Sequence, residues 1–274
     1  AKTAVVASAF MGSIVGSSTS NVVTTGSITI PMMRRSGYPA HVAAGVEVAS
    51  SVGGALLPPI MGSSAFLIVP LTGIPYQEII VAAALPAILY FISVYANVHF
   101  YACRIGLAPE NFDSNYWRQL AAVFVNGLPY LIPIVTLVYM LMSGWSATMS
   151  AFTAICVMIV TSFFRKETRV TPRRFVEALE MGARNALPVA AACAAVGMII
   201  VVVTLTGVGI KFSSLMTSGT GGSMFMGIVL VGLASLVLGI ELPISAAYLV
   251  VAVLAAPSLV ELGVPLLPAH LICL

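Results

Sequence analysis

Residues 16–26, GSSTSNVVTTG, form a run of small and polar residues inside an otherwise apolar stretch. Hydroxyl, amide and helix-end carbonyl oxygens carry no full charge, so they suit a Na⁺ ion that must be bound and released, while helix-end amides suit an anion. A lone Ser or Thr more often donates back to a carbonyl four residues earlier. Five consecutive polar residues between glycines favour a binding site. The candidates are Gly16, Ser17, Ser20, Asn21, Thr24, Thr25 and Gly26, of which Ser17 and Asn21 are candidate Na⁺ ligands.

A second interruption follows in EVASSVGGALLPPIMGSS, residues 47–64. Paired glycines and a Pro-Pro pair cannot continue a regular helix, so this segment is predicted to break near its middle. Glu47 starts the helix face that leads to the break, and it should face protein or water rather than lipid. The alternative is an interfacial carboxylate paired with Arg34 or Arg35. The candidate residues here are Ser50, Ser51, Gly53, Gly54, Pro58 and Pro59, with Gly54 a third candidate Na⁺ ligand.

The composition predicts an integral membrane protein. Hydrophobic residues make up 59% of the 274 residues and charged residues only 8%, with a mean hydropathy of +1.06, whereas soluble domains carry roughly 25% charged residues. The four cysteines stand alone in the sequence and form no CxxC pair, so neither a metal site nor a disulfide framework is indicated. No cofactor is expected beyond a coupling ion.

Apolar blocks define the expected organisation of an all-α membrane fold. Two of these blocks are too long for one crossing, and each holds a polar or Pro-containing interruption near its middle. Each is therefore predicted to be a hairpin that enters and leaves the membrane on one side. We interpret 1–274 as one transmembrane transport region, an excerpt of a longer permease, with a first hairpin at 1–36, a broken helix at 39–70, further spans and linking helices at 78–210, and a second hairpin at 222–262.

The distribution of basic residues predicts the orientation. Six of the twelve basic residues lie in or beside the loop RKETRVTPRR, which the positive-inside rule places in the cytoplasm. The segment 172–186 has the charge and spacing of an interfacial amphipathic helix, and 188–210 is then a fifth crossing after the first hairpin. The second hairpin would therefore start from the opposite side of the membrane to the first.

The ends of the two long blocks resemble each other at an offset of 226 residues. Pro31, Gly37 and Pro39 of the first block correspond to Pro257, Gly263 and Pro265 of the last. Because the two blocks are predicted to have opposite orientations, this repeat is predicted to be inverted, with both hairpin tips at the middle of the membrane. Inverted repeats with broken helices are typical of secondary transporters.

Several long stretches, found in one order, resemble the large membrane subunit of tripartite ATP-independent periplasmic (TRAP) transporters, most of all the fused permease of the TAXI branch. They are GSSTSNVVTTGSITIPMMRRSGYP, VEVASSVGGALLPPIMGSSAF, ARNALPVAAACAAVGMIIVVVTLTGVGIKFSSL and GIELPISAAYLVVAVLAAPSLVELGVPLLPAH. The resemblance implies a multi-pass, elevator-type importer in a bacterial or archaeal inner membrane. It would take small organic acids from a periplasmic substrate-binding protein, driven by an ion gradient. It also implies a second ion and substrate region that includes Gly239, Pro243 and Ser245.

The chain departs from the family pattern at the second tip, where Glu241 stands in the place of a glycine and Ile244 in that of a threonine. A buried acid could carry a proton, so the coupling ion is Na⁺ or H⁺, with Na⁺ favoured by the hydroxyl-rich first tip. Glu241 therefore joins the candidate site residues; its alternative is an acid that faces a water-filled vestibule.

Two other classes of function compete with transport. An intramembrane enzyme would need a zinc motif or paired aspartates, and the sequence has no HExxH and a single Asp, Asp113. A membrane scaffold subunit would not need glycines and hydroxyls at two opposed helix breaks. Neither rival explains the polar interruptions, so the sequence predicts a transporter and not an enzyme.

Overall fold

The structure is a computed structural model that describes residues 1–107, 116–163, 170–240 and 244–274. Every regular element within these ranges is a helix. The chain divides into two compact units. The first comprises Ala1–Gly62 and Ala83–Val176, and the second comprises Ser63–Ala82 and Glu177–Leu274.

Of the first seven helices in the described ranges, two are long, with 29 and 27 residues, and the other five have 11 to 18. Helix α1, of 14 residues, is shorter than the roughly 20 residues that a membrane crossing requires, as expected for one arm of a hairpin. In the first unit α1, α2 and α3 pack on one another, and α6 packs on α7. The seven are α1 (Lys2–Val15), α2 (Ser18–Arg35), α3 (Ala40–Gly54), α4 (Gly62–Thr72), α5 (Tyr76–Arg104), α6 (Tyr116–Met142) and α7 (Ala147–Ser162).

The first predicted interruption contains a sharp break of two residues. Gly16 ends α1 in the left-handed region, with φ of +67°, and its N–H donates to the carbonyl of Gly12. Only glycine adopts that conformation without a steric cost. Ser17 then caps α2, and its side chain accepts from the backbone N–H of Ser20. The remaining residues of the run, from Ser18 to Gly26, belong to helix α2.

Five helices follow in the second half of the chain. Helix α11 packs on α9, α10 and α12, and its buried side chains, with Tyr248 and Leu259 among them, form the core of the second unit. The helices are α8 (Pro172–Thr206), α9 (Val208–Gly219), α10 (Met224–Gly239), α11 (Ile244–Glu261) and α12 (Leu266–Cys273).

Helix α8 differs from the sequence expectation. An interfacial helix at 172–186 followed by a separate crossing at 188–210 was predicted, but α8 runs unbroken from Pro172 to Thr206 and contains Pro188 in its interior. Alanine and leucine, which are good helix formers, lie on both sides of that proline, so the helix continues through it. The break comes instead at Gly207, with φ of +66°.

Within the described ranges, three helices are long and apolar enough to cross a membrane: Tyr76–Arg104, the Pro172–Val203 part of α8, and Ile244–Glu261. Four further apolar segments are shorter, at Lys2–Val15, Tyr130–Met142, Ala147–Ser162 and Met224–Val237. The all-helical, strongly apolar fold agrees with the predicted class of integral membrane protein.

The local backbone of α2 and α3 recurs in α11 and α12. Helices α2 and α11 both have 18 residues and begin and end at positions 226 apart. Gly37, with φ of +97°, and Gly263, with φ of +94°, follow them. In both cases the next residue donates its N–H to a carbonyl five residues earlier, from Tyr38 to Met33 and from Val264 to Leu259.

Candidate functional site

Two backbone breaks of the first unit lie against each other. A Cβ atom on Gly16 would lie 2.7 Å from the Cα of Gly62, and one on Gly12 would lie 2.8 Å from the Cα of Gly54. No side chain fits at such distances, so the end of α1 contacts the end of α3 and the start of α4 through backbone alone. These glycines form a cradle that a Cβ would fill.

The helix termini at this cradle have complementary partial charges. Helices α1 and α3 end here with carbonyl groups, and α2 begins here with amide groups. Carbonyl ends stabilise a cation and amide ends stabilise an anion. The backbone therefore offers both kinds of site within one small region.

Asn21 lies in the first turns of α2 and is fully buried. Its Nδ2 donates to the carbonyl of Ser8, at 2.8 Å, and to the Oγ of Ser51, at 3.0 Å. Both amide hydrogens are thereby used, so its Oδ1 must turn the other way. Among the described side chains, its contact there is with the Oγ1 of Thr25, at 3.5 Å, which is a weak contact.

Glu47 on α3 is also fully buried, and hydroxyl groups from three helices surround it. Its Oε1 lies 2.7 Å from the Oγ of Ser8, 2.5 Å from the Oγ1 of Thr25 and 3.3 Å from the Oγ of Ser51. Its Oε2 lies 2.5 Å from the Oγ1 of Thr29. The prediction that Glu47 faces protein is therefore confirmed.

The alternative for Glu47, an ion pair with Arg34 or Arg35, is not formed. Both arginines are exposed in the last turn of α2, and none of the contacts described for Glu47 involves them. A buried carboxylate needs hydrogen bonds or a partner charge to offset its lost hydration. Here hydroxyl groups meet that need.

The donors at this site suit an alkali cation. The Asn21 side chain and the Ser51 carbonyl lie beside Gly12, and the Thr25 and Ser51 hydroxyls lie next to the Glu47 carboxylate, so every donor here is an oxygen or an amide. Transition metals prefer nitrogen and sulfur ligands, whereas hard cations prefer oxygen. The residues present therefore fit Na⁺.

A known protein family matches this chain over residues 1–274. The sequence model of a family described as "Tripartite ATP-independent periplasmic transporter, DctM component" matches residues 1–274. The chain belongs to this family. DctM proteins are the large membrane components of TRAP secondary transporters, which agrees with the resemblance drawn from the sequence.

One relative of this DctM chain is the uncharacterized protein y4mL of Sinorhizobium fredii (strain NBRC 101917 / NGR234). The two are 30% identical over 139 residues, which is 50% of this chain and 32% of the relative. The matched segment thus spans about a third of that relative's length.

Several predicted site residues of the DctM chain make only local contacts. Thr24 donates to the carbonyl of Ser20 and Ser50 to that of Val46, each four residues earlier. The side chain of Ser17 caps α2, and Ser20 is exposed. Backbone hydrogen bonds explain these hydroxyls without a ligand.

Other predicted residues pack inside the same region. Gly26 lies against Glu47, and a Cβ there would come within 3.2 Å of its Cγ. Gly53 lies beneath the ring of Tyr90, which leaves no room for a Cβ. Pro58 and Pro59, joined by a cis peptide bond, lie in the connection between α3 and α4.

The second predicted region is described only in part. Gly239 is exposed at the end of α10, and Ser245 is buried in the first turn of α11. Glu241 and Pro243 lie outside the described residues, so their roles remain predictions.

The sequence reasoning missed four residues of the first site: Ser8, Gly12, Thr29 and Gly62. A pattern could have identified three of them. Ser8 and Gly12 lie four residues apart on α1, Thr25 and Thr29 four apart on α2, and Glu47 and Ser51 four apart on α3. Residues at this spacing share one helix face, so three polar faces could have been matched with one another.

Proposed function

We propose that this DctM chain forms the transport region of an ion-coupled secondary importer of small organic acids. The observation that carries the proposal is the contact between two backbone breaks, Gly16 with Gly62, beside neutral oxygens in the otherwise apolar first unit. Membrane proteins tolerate broken helices where the freed backbone groups line a cavity or bind a ligand. A chain with only a scaffolding role gains nothing from such a break.

Na⁺ is the coupling ion that this arrangement favours. Asn21 Oδ1 is the side-chain oxygen best placed to bind a cation, because its amide hydrogens are already committed. The carbonyl ends of α1 and α3 add partial negative charge nearby. Neutral ligands of this kind hold a monovalent cation weakly enough for release. The rival coupling ion, H⁺, would use Glu241.

The proposed substrate class rests on the partial positive charge at the start of α2, beside the glycine cradle. The amide end of α2 suits a carboxylate group. As in other TRAP systems, a periplasmic substrate-binding protein would deliver the acid and the small DctQ membrane component would complete the transporter. The identity of the acid then depends largely on the binding protein.

Uptake into liposomes tests the proposal. The complete transporter is reconstituted and supplied with its binding protein and with carbon-14-labelled mono-, di- and tricarboxylates, under a Na⁺ gradient or a proton gradient alone. We expect uptake of at least one acid that requires both the binding protein and the Na⁺ gradient. Uptake under a proton gradient alone, abolished by Glu241→Gln, would overturn the Na⁺ assignment. Absence of uptake of every acid under both gradients would contradict the importer itself.

A further inference from the structure

Glu47 and Asn21 share the same hydrogen-bond partner residues, a feature that the transport proposal does not use. The side chain of Asn21 has three partner residues: the Ser8 carbonyl, the Ser51 hydroxyl and the Thr25 hydroxyl. The hydroxyl group of each of these three residues also lies within hydrogen-bond distance of Oε1 of Glu47. A single carboxylate oxygen thus contacts each of the described residues that hold the Asn21 side chain.

Hydrogen-bond direction strengthens this relation. A carboxylate only accepts, so the Ser51 hydroxyl must donate to Glu47 and can then only accept from Asn21. The Ser8 carbonyl likewise accepts from Asn21. Ser8 and Ser51 therefore both require the NH₂ group of Asn21 to point towards them. The Oδ1 atom of Asn21 then points away from these two residues.

We propose that Glu47 is the positioning residue of the cation site: it fixes the Asn21 amide with Oδ1 towards the coupling ion and supplies a negative charge one hydroxyl away. This inference rests on the proposed Na⁺ coupling. Partners of metal ligands commonly control affinity without touching the ion, by orienting the ligands. Glu47 would do so from α3 for a ligand on α2.

The two oxygens of Glu47 allow the role to be tested within one side chain. Oε1 contacts the residues that hold Asn21, whereas the close partner of Oε2 is Thr29, which makes no hydrogen bond to the Asn21 side chain. Loss of an Oε1 partner should weaken cation binding. Loss of the Oε2 partner should destabilise the fold while leaving cation affinity nearly unchanged.

The test measures equilibrium binding of radioactive sodium to the purified full-length transporter in detergent, together with its thermal unfolding in choline buffer. Glu47→Gln keeps the size of the side chain and removes its charge. We expect about a tenfold loss of Na⁺ affinity, by analogy with ligand-orienting residues of other sites. Glu261→Gln, which alters an exposed acid at the end of α11, is the matched control and should bind Na⁺ normally.

A second pair of variants separates positioning from general stability. Ser51→Ala should reduce Na⁺ affinity, and Thr29→Val, which removes a hydroxyl of similar burial, should not. A third variant, Gly26→Ala, keeps the charge but moves Glu47, because the new Cβ would lie 3.2 Å from its Cγ. It should lower affinity less than Glu47→Gln does, whereas Gly45→Ala on the same helix as Glu47, where nothing lies within 4 Å, should have no effect.

The outcomes distinguish this inference from the function on which it rests. Wild-type protein that binds no Na⁺ would contradict the proposed coupling ion, and the inference with it. Wild-type binding with unchanged affinity in Glu47→Gln would overturn the inference alone. Should Glu47→Gln fail to fold, equal Na⁺ affinities in Ser51→Ala and Thr29→Val would overturn it as well.

Discussion

The two helix–turn–helix segments of this chain share a backbone and differ in what they bury. At the offset of 226 residues, α2 matches α11 from end to end, and the turns that follow them match bond for bond. Burial is also repeated: Met33 and Leu259 are both fully buried, as are Ala43 and Ala269. The shape of the segment is therefore independent of most of its side chains.

Polarity is not repeated. Five members of the polar cluster have an apolar or weakly polar counterpart at the offset of 226 residues. The second segment reaches the same backbone with a different set of buried polar groups, in which Tyr248 contacts His270 and Ser258 is buried, so the cluster around the Glu47 carboxylate is not needed for the shape. Buried polar networks often cost stability compared with apolar packing, so their presence at one of two equivalent places indicates function. The counterparts are Ala234 for Ser8, Ala247 for Asn21, Val251 for Thr25, Ala255 for Thr29 and Cys273 for Glu47.

The largest expected effect concerns the predicted inversion of the two segments. In a background without native cysteines, Arg35→Cys and Glu261→Cys place thiols at equivalent, exposed positions. Because the first segment should end in the cytoplasm and the second outside, an impermeant maleimide applied to whole cells should label only the second. Permeabilised cells should show labelling of both. Labelling of both thiols in intact cells would refute the inversion.

A smaller effect is expected where the first segment packs through bare backbone. Gly54→Ala would place a Cβ 2.7 Å from the Cα of Gly12, and such overpacking should lower the free energy of unfolding by about 2–3 kcal/mol. Gly232→Ala on α10 meets nothing within 4 Å and serves as the control. Thermal unfolding of both purified variants measures the difference. Equal melting temperatures would show that the glycine contact is not tight.

The next prediction concerns function at the polar cluster. Asn21→Ala should lower the affinity for Na⁺ in ion-dependent uptake about tenfold, a loss of about 1.4 kcal/mol. Asn97→Ala removes an exposed amide on α5 that donates to the Ser93 carbonyl, and it should leave uptake unchanged. Uptake measured against Na⁺ concentration gives both values. Wild-type Na⁺ affinity in Asn21→Ala would remove this residue from the site.

The smallest effect is expected at the main polar contact in the core of the second unit. The hydroxyl of Tyr248 lies 2.9 Å from Nδ1 of the buried His270. Tyr248→Phe should cost about 1 kcal/mol of stability, because His270 loses a hydrogen-bond partner, and should leave Na⁺ affinity unchanged. Tyr139→Phe, at an exposed ring, is the control in the same melting experiment. A changed Na⁺ affinity in Tyr248→Phe would mean that the two segments are functionally less different than their polarity indicates.

Much of the fold could be predicted because its determinants are local. Gly16, Gly37 and Gly54 end helices, and a Pro-Pro pair interrupts one, so the breaks follow from residue type alone. The membrane class follows from composition. The continuity of α8 could not be predicted from the sequence, because a single proline at position 188 can either break a helix or be accommodated when strong helix formers flank it.

The site was predicted in outline but not in its contacts. Asn21 and Ser51 were chosen for their residue types, and the structure joins them at 3.0 Å. Ser8 was not among the candidates. Its role depends on α3 bringing Glu47 to it across 39 positions of sequence. The polar face of each helix can be found in the sequence, but the contact between the two faces is set by the tertiary fold.

The glycine contacts limit how this chain can change over evolutionary time. A contact between two side chains can be exchanged, since a larger residue on one helix is compensated by a smaller one on the other. Gly12 against Gly54 offers no such exchange, because neither residue has a side chain to give up. Drift at either position can only loosen the contact, so homologues that keep this packing should retain glycine at both places together.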